Sequence, residues 1–485
     1  MRTAVCGMVA VVFSFAAGLP YEMVARGQVK VKDLRTRKNG TDWPRFLGPT
    51  GDSKSTEKGI LTKWPEAGPR VVWKRDLGVG YAPPTISRGR LFTFSRFERE
   101  DGPRGAGDCR LTCSNAETGK ELWKFEYPTE YEDYFGYNNG PRCCPVVDDD
   151  RVYIYGPEGM LHCISILTGK PIWRVDTFKK FNVVKNFFGV AGAPLVEGDL
   201  LITIVGGSPA DQGPVGLELD RVKPNGSAIV AFNKHTGVVK YTIADELAGY
   251  ASPVAATIDG RRWCFVFARG GLVGFEPAKG SIDFHFPWRA KSLECVNASN
   301  PLVVGDRVLI SECYGPGGAL LKVKPGGYDV LWSDESKRRT KSLQAHWNTP
   351  IHHEGYVYGC SGRHTVGSDL RCVELATGKL MWETDGRKEE DDPVMGRSSL
   401  LYADGHFICL TEFGELSLLR ANPKKHDEVA HVVLRDLDGV RRPGFGLPPL
   451  LEYPAWAAPV LSHGLLYVRG KDRLVCLELI AEKGE

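Results

Sequence analysis

The chain has 485 residues, of which 42% are hydrophobic and 25% are charged, a globular composition that argues against disorder along its whole length. Its 62 basic and 59 acidic residues leave a net charge of only +3, so the sequence carries no electrostatic footprint for nucleic acid or for a membrane surface. This length favours two or three domains unless the chain is built from repeats.

The N-terminus resembles a secretory signal peptide. Met1-Arg2 is followed by a mostly apolar stretch over residues 4–19, in which Ala16 and Ala17 are candidate cleavage sites. The stretch is short for a membrane span, and no other segment of the sequence has transmembrane length. We therefore expect a signal peptide at residues 1–17 and a mature chain exported to the periplasm or cell envelope. An uncleaved N-terminal anchor is the alternative.

Residues 18–70 are predicted to form an irregular lead segment that lies on the body of the protein. The segment is rich in charged residues, Gly and Pro, and it contains Trp43-Pro44-Arg45-Phe46-Leu47-Gly48-Pro49. Residues 71–75 then form one predicted strand that includes Trp73.

One phrase, residues 161–173, recurs along the chain. Its alternating apolar residues, its Thr168-Gly169-Lys170 turn and its final Trp173 predict two strands joined by a tight turn. The tryptophan recurs at a spacing of 50 residues between Trp73 and Trp123, Trp123 and Trp173, and Trp332 and Trp382. Such a period indicates a repeat architecture in which each unit packs on its neighbours.

Two markers count the repeats. Strands led by proline or serine, each followed by a turn and an aromatic strand, begin near Pro83, Pro145, Pro194, Pro253, Pro301, Pro350, Ser399 and Pro459. Outer strands centre on Trp73, Trp123, Trp173, Tyr241, Phe284, Trp332, Trp382 and Val432. Both markers occur eight times, and four strands per repeat are typical of a propeller blade.

We therefore predict an all-β fold, an eight-bladed β-propeller of four-stranded antiparallel blades over residues 71–480, with a tail at 481–485. The last repeat lacks a tryptophan strand, so the strand around Trp73 is expected to complete it and close the ring. Two stretches, 206–223 and 436–453, exceed the period and are either functional loops or solvated excursions.

The number of cysteines permits disulfides, but the positions of several argue against them. Loss of Cys6 with the signal would leave twelve, an even number that permits disulfides. However, Cys113, Cys163, Cys372 and Cys476 share one slot of the repeat, where cysteine acts as a small core residue. No C-x-x-C pair has zinc-like spacing, so we expect no structural metal site.

The recurring A/L-x-T-G-K-x-x-W pattern resembles that of the PQQ-like propeller family, over about residues 42–480. That family includes quinoprotein alcohol dehydrogenases and non-enzymatic lipoproteins of outer-membrane protein assembly. The chain also resembles exported PQQ-like propellers of planctomycete-type bacteria through three stretches, 43–46, 135–142 and 346–350. The resemblance is specific for the fold but gives almost no information about activity.

The resemblance draws attention to Cys143-Cys144. Quinoprotein dehydrogenases hold their cofactor against a vicinal disulfide, and this pair precedes an inner strand at Pro145. The connector after the pair is shorter than in those enzymes, and their calcium-binding Glu and Asn and their catalytic Asp have no matching motif here. The simpler interpretation is that two small residues fill the start of a strand.

A second group of candidates follows from the repeat register. Residues just before each inner strand should surround the mouth of the central channel, and together they form a set rich in aromatic, amide and Arg side chains. The candidates are Tyr81, Tyr137, Asn139, Arg142, Phe188, Tyr250, Asn297, Asn300, His346, Trp347, Asn348, Arg397 and Trp456. They predict either a ligand site or aromatic residues that only fill a narrowing funnel.

These observations favour an exported, monomeric and non-catalytic propeller that acts as a binding or assembly scaffold in the cell envelope. Its expected partner is an envelope protein, a peptide or a small polar ligand, and no cofactor is assigned. The alternatives are a PQQ-dependent and calcium-dependent oxidoreductase and a carbohydrate-recognising propeller. Cys6 lies too early to be the lipidated cysteine of the assembly lipoproteins, which limits that analogy.

Overall fold

The computed structural model describes residues 31–99, 102, 105–384, 395–441 and 447–482. The expected signal peptide at residues 1–17 lies outside these residues, as does most of the tail. The described chain forms eight four-stranded antiparallel sheets, which confirms the predicted eight-bladed propeller. None of its helices is long and apolar enough to cross a membrane.

The blades follow the chain, and each runs from its innermost to its outermost strand. Blades 1 and 2 comprise β2 (Thr85–Ser87), β3 (Arg90–Glu98), β4 (Gly107–Asn115) and β5 (Glu121–Thr129), then β6 (Val146–Asp148), β7 (Arg151–Tyr155), β8 (Met160–Ser165) and β9 (Pro171–Asp176). Blades 3 and 4 comprise β10 (Leu195–Glu197), β11 (Leu200–Ile204), β12 (Ile229–Asn233) and β13 (Val239–Ile243), then β14 (Val254–Ile258), β15 (Arg261–Phe267), β16 (Gly271–Glu276) and β17 (Ser281–Pro287).

Blades 5 and 6 comprise β18 (Leu302–Val304), β19 (Arg307–Glu312), β20 (Gly317–Lys324) and β21 (Gly327–Ser333), then β22 (Ile351–His353), β23 (Tyr356–Ser361), β24 (Asp369–Glu374) and β25 (Leu380–Glu383). Blade 7 comprises β26 (Ser399–Ala403), β27 (His406–Leu410), β28 (Glu415–Arg420) and β29 (Glu428–Val433). Blade 8 comprises β30 (Val460–Ser462), β31 (Leu465–Arg469), β32 (Arg473–Glu478) and β1 (Val71–Asp76). One short helix, α1 (Thr177–Phe181), and a 3-10 turn at Leu219–Arg221 are also present.

The ring closes as predicted. β1 pairs with β32, with Trp73 opposite Cys476, so the N-terminal strand is the outer strand of blade 8. Closure joins the two ends of the described propeller by backbone hydrogen bonds and leaves no exposed strand edge at the seam.

The tryptophan and the glycine of the repeat lock neighbouring blades together. Trp123 Nε1 donates to the carbonyl of Ile166 in the next blade at 3.0 Å. A Cβ on Gly169 would lie only 2.6 Å from the Trp123 ring. The same pairing of ring and glycine joins Trp73 to Gly119, Trp173 to Gly237, Tyr241 to Gly280 and Trp332 to Gly378. The repeat residues therefore build the interfaces between blades.

The core cysteines lie where the repeat register predicts. Cys113, Cys163, Cys372 and Cys476 are fully buried within their blades. The twelve described cysteines are all buried and free.

The lead segment closes the channel below its mouth. Trp43 forms a β-bridge with Ile86 of β2, and Pro44 O accepts a hydrogen bond from Val147 N of β6 at 2.8 Å. Ser53 bonds to Tyr402 of β26 in the same way. These contacts fall within the inner strands, whereas the mouth residues precede them, so the segment lies deeper in the channel and forms its floor.

The loop at 206–223 is tied to the propeller near its end, whereas most side chains of residues 210–218 are exposed. Its Asp220 accepts from Arg269 at 3.0 Å and also pairs with Arg289. In the other long stretch, Asp436 pairs with Lys74 and Arg473 of blade 8, while residues 442–446 lie outside the described chain.

Candidate functional site

A cavity of about 240 Å³ opens at the mouth of the channel. Ten of the thirteen predicted mouth residues line it: Tyr81, Tyr137, Arg142, Phe188, Tyr250, His346, Trp347, Asn348, Arg397 and Trp456. Phe46 and Leu47 of the lead segment also line the cavity. The channel is therefore a pocket that is open at the mouth and floored by the lead segment.

Ring contacts link the aromatic side chains of this cavity into one belt. The Trp347 ring lies 4.7 Å from His346 and 4.8 Å from Trp456, measured between centroids. Further contacts join Trp456 to Tyr81 and Tyr137, Tyr137 to Phe188, Phe188 to Tyr250, and His346 to Tyr314. We call these eight residues the aromatic belt. Such a belt offers ring faces and edges to a ligand.

Asn348 sets the turn that carries two members of the aromatic belt. Its Oδ1 accepts from His346 N at 3.1 Å, which fixes the backbone on either side of Trp347. Its Nδ2 donates to Ser398 O of blade 7 at 2.9 Å. The amide therefore ties the wall of the cavity across a blade boundary.

A buried carboxylate holds one side of the wall. Glu412 is completely buried and pairs with Arg397 at 2.8 Å. The Arg397 guanidinium lies 4.9 Å from the centroids of both Trp347 and Trp456, within cation–π range. Burial raises the pKa of Glu412, but its hydrogen bonds from Arg397 and Trp456 outweigh burial and lower the pKa below the ordinary value. Glu412 is thus an ionised counter-charge behind the wall.

Arg142 is held in a similar way on the other side. It donates to Asp133 Oδ2 at 2.7 Å and to Phe188 O at 3.1 Å. Asp133 is fully buried at its side chain. Arg142 therefore adds a polar side chain to the cavity wall, but its positive charge is neutralised by Asp133.

His346 is a neutral member of the aromatic belt. Burial, with the positive charge of Arg397, lowers its pKa to about 3. Its Nε2 lies 3.3 Å from Tyr314 Oη. Within the described chain, His346 Nδ1 and Trp347 Nε1 are both buried without a hydrogen-bond partner. Buried polar atoms are rarely left unpaired, so these two atoms mark the wall as a place that suits a water or a ligand.

Three predicted residues, Asn139, Asn297 and Asn300, do not line the cavity, and their amides bond to the backbone of the connections between blades. Asn139 Oδ1 accepts from Asp133 N at 2.9 Å, and Asn300 Oδ1 accepts from Ser252 N at 2.8 Å. Asn297 is buried and donates from Nδ2 to three carbonyls, those of Ala268, Arg269 and Trp288. These side chains shape the connections between blades.

Tyr314, Arg363 and His364, which also line the cavity, were missed from the sequence. They lie in the connections between the second and third strands of blades 5 and 6. In an antiparallel blade the second strand returns to the end where the first begins, so these connections reach the mouth as well. Counting both kinds of connection would have found them.

Cys143 and Cys144 lie beside the cavity as two free thiols. Cys144 lines the cavity wall and both side chains are buried. The Cys143 thiol donates to Cys144 O at 3.4 Å, and burial raises the pKa of Cys143 to about 12. Both cysteines are thus placed as core residues at the start of an inner strand.

The cavity does not fit the calcium-dependent chemistry of a quinoprotein. Calcium takes oxygen ligands, usually including carboxylates. Among the described residues that line the cavity there is no Asp or Glu. The acids behind it, Asp133 and Glu412, are each held by an arginine. The described residues also hold no group of three or more His, Cys, Asp or Glu placed for a metal.

Comparison with solved structures places the fold among known propellers. BamB from Moraxella catarrhalis aligns with a TM-score of 0.54 at 14% identity, covering 86% of this chain and 99% of that chain. The quinohemoprotein alcohol dehydrogenase from Comamonas testosteroni aligns with a TM-score of 0.58 at 12% identity, covering 92% and 82%. At such identities the likeness concerns the fold alone. No curated protein sequence matches this chain.

The family itself is shown by sequence. The profile of the PQQ-like family described as outer membrane protein assembly factor BamB matches residues 107–384, more than half of the chain. The match covers the repeats in which the T-G-K turn and the tryptophan strand are strongest. The chain therefore belongs to this family of PQQ-like propellers.

Proposed function

We propose that this chain is a non-catalytic binding protein, whose cavity at the channel mouth holds a small polar ligand that contains a ring. The observation that carries this proposal is the aromatic belt around a cavity with a floor, in which Trp347 and Trp456 lie 4.8 Å apart. Binding sites are mostly apolar and concave, with a few polar groups that set orientation. The belt supplies the apolar faces, and Asn348, Arg142 and Arg397 supply the polar groups.

The chemistry of the wall supports binding over catalysis. General acid–base catalysis works best with a group whose pKa lies near the working pH. The imidazole of His346 has a pKa of about 3, so it remains neutral and is a weak base. Glu412 and Asp133 are bonded to arginines, and Glu312, whose pKa is raised by burial to about 7, does not line the cavity.

We place this binding role in the cell envelope, where the protein would act as a scaffold. Support comes from the signal-like residues 1–17 and from the BamB family. The rim also exposes Phe135, Tyr137 and Tyr453, by 43%, 61% and 48%. Such exposed rings suit contact with a peptide or an envelope protein. Cell fractionation of the full chain and of a variant lacking residues 4–19 tests export, and equal recovery of both in the cytoplasm would contradict it.

The binding role is tested by tryptophan fluorescence, because two tryptophans line the cavity. We expect D-galactose, D-galacturonate, benzyl alcohol or benzoate to change the emission at millimolar concentration, in line with the weak binding of small ligands. Trp347→Leu and Tyr137→Ala should weaken binding. Leu122→Ala, on an exposed position of β5, is the matched control. Absence of any response to all four probes would contradict the proposal.

A quinoprotein oxidoreductase is the second candidate, favoured only by the position of Cys144 on the cavity wall. The absence of Asp and Glu among the described lining residues opposes it. The test adds PQQ and calcium to the purified chain and follows cofactor absorbance together with dye-linked oxidation of an alcohol or a sugar. We expect neither signal, and the appearance of both would replace the binding proposal.

A further inference from the structure

Arg363 differs from the other two arginines of the cavity. Arg142 and Arg397 are each bonded to a fully buried carboxylate. Arg363, in the part of the chain that the structure describes, makes no ion pair and no side-chain hydrogen bond. Its guanidinium lies 4.1 Å from the centroid of the Tyr314 ring, at the exposed mouth of the cavity. It is therefore an available cation held in place by an aromatic face.

The acidic groups around Arg363 are already occupied. The carboxylate of Glu312 accepts from Tyr314 N at 2.8 Å and from Gly315 N at 3.0 Å. Glu294 accepts a hydrogen bond from Ser292 at 2.6 Å. Neither forms an ion pair with Arg363 within the described chain. The planar guanidinium group of Arg363, which can bind a carboxylate through two parallel hydrogen bonds, therefore has no carboxylate partner within the described chain.

Among the described residues, the charged side chains that line the cavity are all basic. Its described lining includes three arginines and no acid, and two of these arginines are neutralised by Asp133 and Glu412. Arg363 is the lining arginine that has no bonded carboxylate within the described chain, and His364 lies beside it on the same connection. A concave site lined by one sign of charge concentrates ligands of the opposite sign.

Ring faces lie next to this cation. Arg363 stacks on Tyr314, whose ring is 5.6 Å from His346, and His346 continues into Trp347. The unpartnered Nε1 of Trp347 and Nδ1 of His346 belong to the same stretch of wall. An anionic group at Arg363 would leave the ring that bears it against the aromatic belt.

We propose that the cavity selects ligands in which a ring carries a carboxylate, with Arg363 as the residue that binds the carboxylate. This inference rests on the proposed binding function. A sugar acid and an aromatic acid both present this chemistry, and the size of about 240 Å³ suits a single ring. One unpaired arginine matches one carboxylate.

The experiment compares acid and neutral partners on the same ring. D-galacturonate is compared with D-galactose, and benzoate with benzyl alcohol, by calorimetry and tryptophan fluorescence on the full chain. We expect each acid, or the acid of one pair, to bind at least about fivefold more tightly than its neutral partner, the scale of an exposed but well-oriented ion pair. The pair that shows the difference identifies the source of the carboxylate.

Variants assign the effect to Arg363. Arg363→Gln should remove the preference, so that acid and neutral partner bind with equal affinity, and Arg363→Lys should restore part of the preference. Arg221→Gln, which alters an exposed arginine of the 206–223 loop, should leave both affinities unchanged. Thermal unfolding of each variant verifies that it is folded.

The outcomes separate the two proposals. Equal binding of acid and neutral partners, or an unchanged preference in Arg363→Gln, would overturn the role of Arg363 and leave the binding function standing. Failure of all four probes to bind would overturn the binding function, and this inference with it. Weaker acid binding at higher salt, absent in Arg363→Gln, would support the inference.

Discussion

Trp456 donates a hydrogen bond from Nε1 to the buried Glu412 Oε2 at 2.9 Å. The same oxygen accepts from Arg397, so one carboxylate orients both a ring and a guanidinium of the cavity wall. The orientation of two side chains of the cavity wall therefore depends on a buried carboxylate that does not itself line the cavity.

Replacing that charge should destabilise the propeller. Glu412→Gln keeps the shape of the side chain but leaves Arg397 largely buried without a counter-charge, which should lower the free energy of unfolding by about 3 kcal/mol. Urea denaturation measures the change, and Glu130→Gln, at an exposed position, is the control. A loss no larger than in the control would show that the pair contributes nothing.

The same pair has a defined pH dependence. Because the hydrogen bonds from Arg397 and Trp456 lower the pKa of Glu412 in the folded state, the unfolded chain takes up its proton first as the pH falls. The stabilisation is therefore full above the ordinary glutamate pKa and is lost only as the pH falls through the lowered value. The difference in stability between the wild-type chain and Glu412→Gln should shrink over that acidic range.

The glycine of the T-G-K turn should tolerate no side chain. Gly169 has a φ of 68°, and a Cβ there would lie 2.6 Å from the Trp123 ring of the previous blade. Gly169→Ala should cost about 2 to 4 kcal/mol, because overpacking adds to backbone strain. Gly260→Ala is the matched control, since its φ is 75° with open space around the new Cβ. Chemical denaturation measures the free energy of unfolding of both variants. Equal losses of stability in the two variants would argue against a contact between Gly169 and the neighbouring blade.

Glu312 should make stability fall as the pH rises towards neutrality. Burial raises its pKa to about 7, so between the ordinary value of 4.5 and about 7 the folded state binds more protons than the unfolded state. Glu312→Gln, which keeps one of the two oxygens that accept from Tyr314 N and Gly315 N, should remove this loss. Relative to the wild-type chain, the variant should gain up to about 3 kcal/mol between pH 4 and pH 8. Parallel stability curves for the two proteins would contradict the assignment.

The cysteines should be unreactive thiols in the folded protein. Burial raises the pKa of Cys143 to about 12, and all twelve described cysteines are buried. Iodoacetamide at pH 8 should therefore label none of them until denaturant is added, after which mass spectrometry should find all twelve modified. A mass two hydrogens lower on the peptide containing Cys143 and Cys144 would instead reveal the vicinal disulfide.

Much of the fold could be predicted because its rules are local and repeated. Trp123 and Trp173 are 50 residues apart, and each packs its ring on the turn glycine of the next blade. The same interface therefore recurs at the period of the sequence. Residues before each inner strand could be placed at the mouth for the same reason. Asn297 could not be excluded in this way, because its amide donates to the carbonyls of Ala268, Arg269 and Trp288, which lie 29, 28 and 9 residues away in the sequence.

The amino-acid sequence by itself determined the number of blades, their strand order, the closure by β1 and the core position of the repeat cysteines, since period and alternation are enough to specify them. Only the tertiary structure decided the electrostatics of the cavity. Whether the charge of an arginine is neutralised depends on whether a carboxylate lies within bonding distance in the folded chain. Arg397 bonds to Glu412, which is fifteen residues away in the sequence, whereas Arg363 bonds to no carboxylate within the described chain. The tertiary structure also brought Phe46 and Leu47 under the channel mouth, a contact that no repeat encodes.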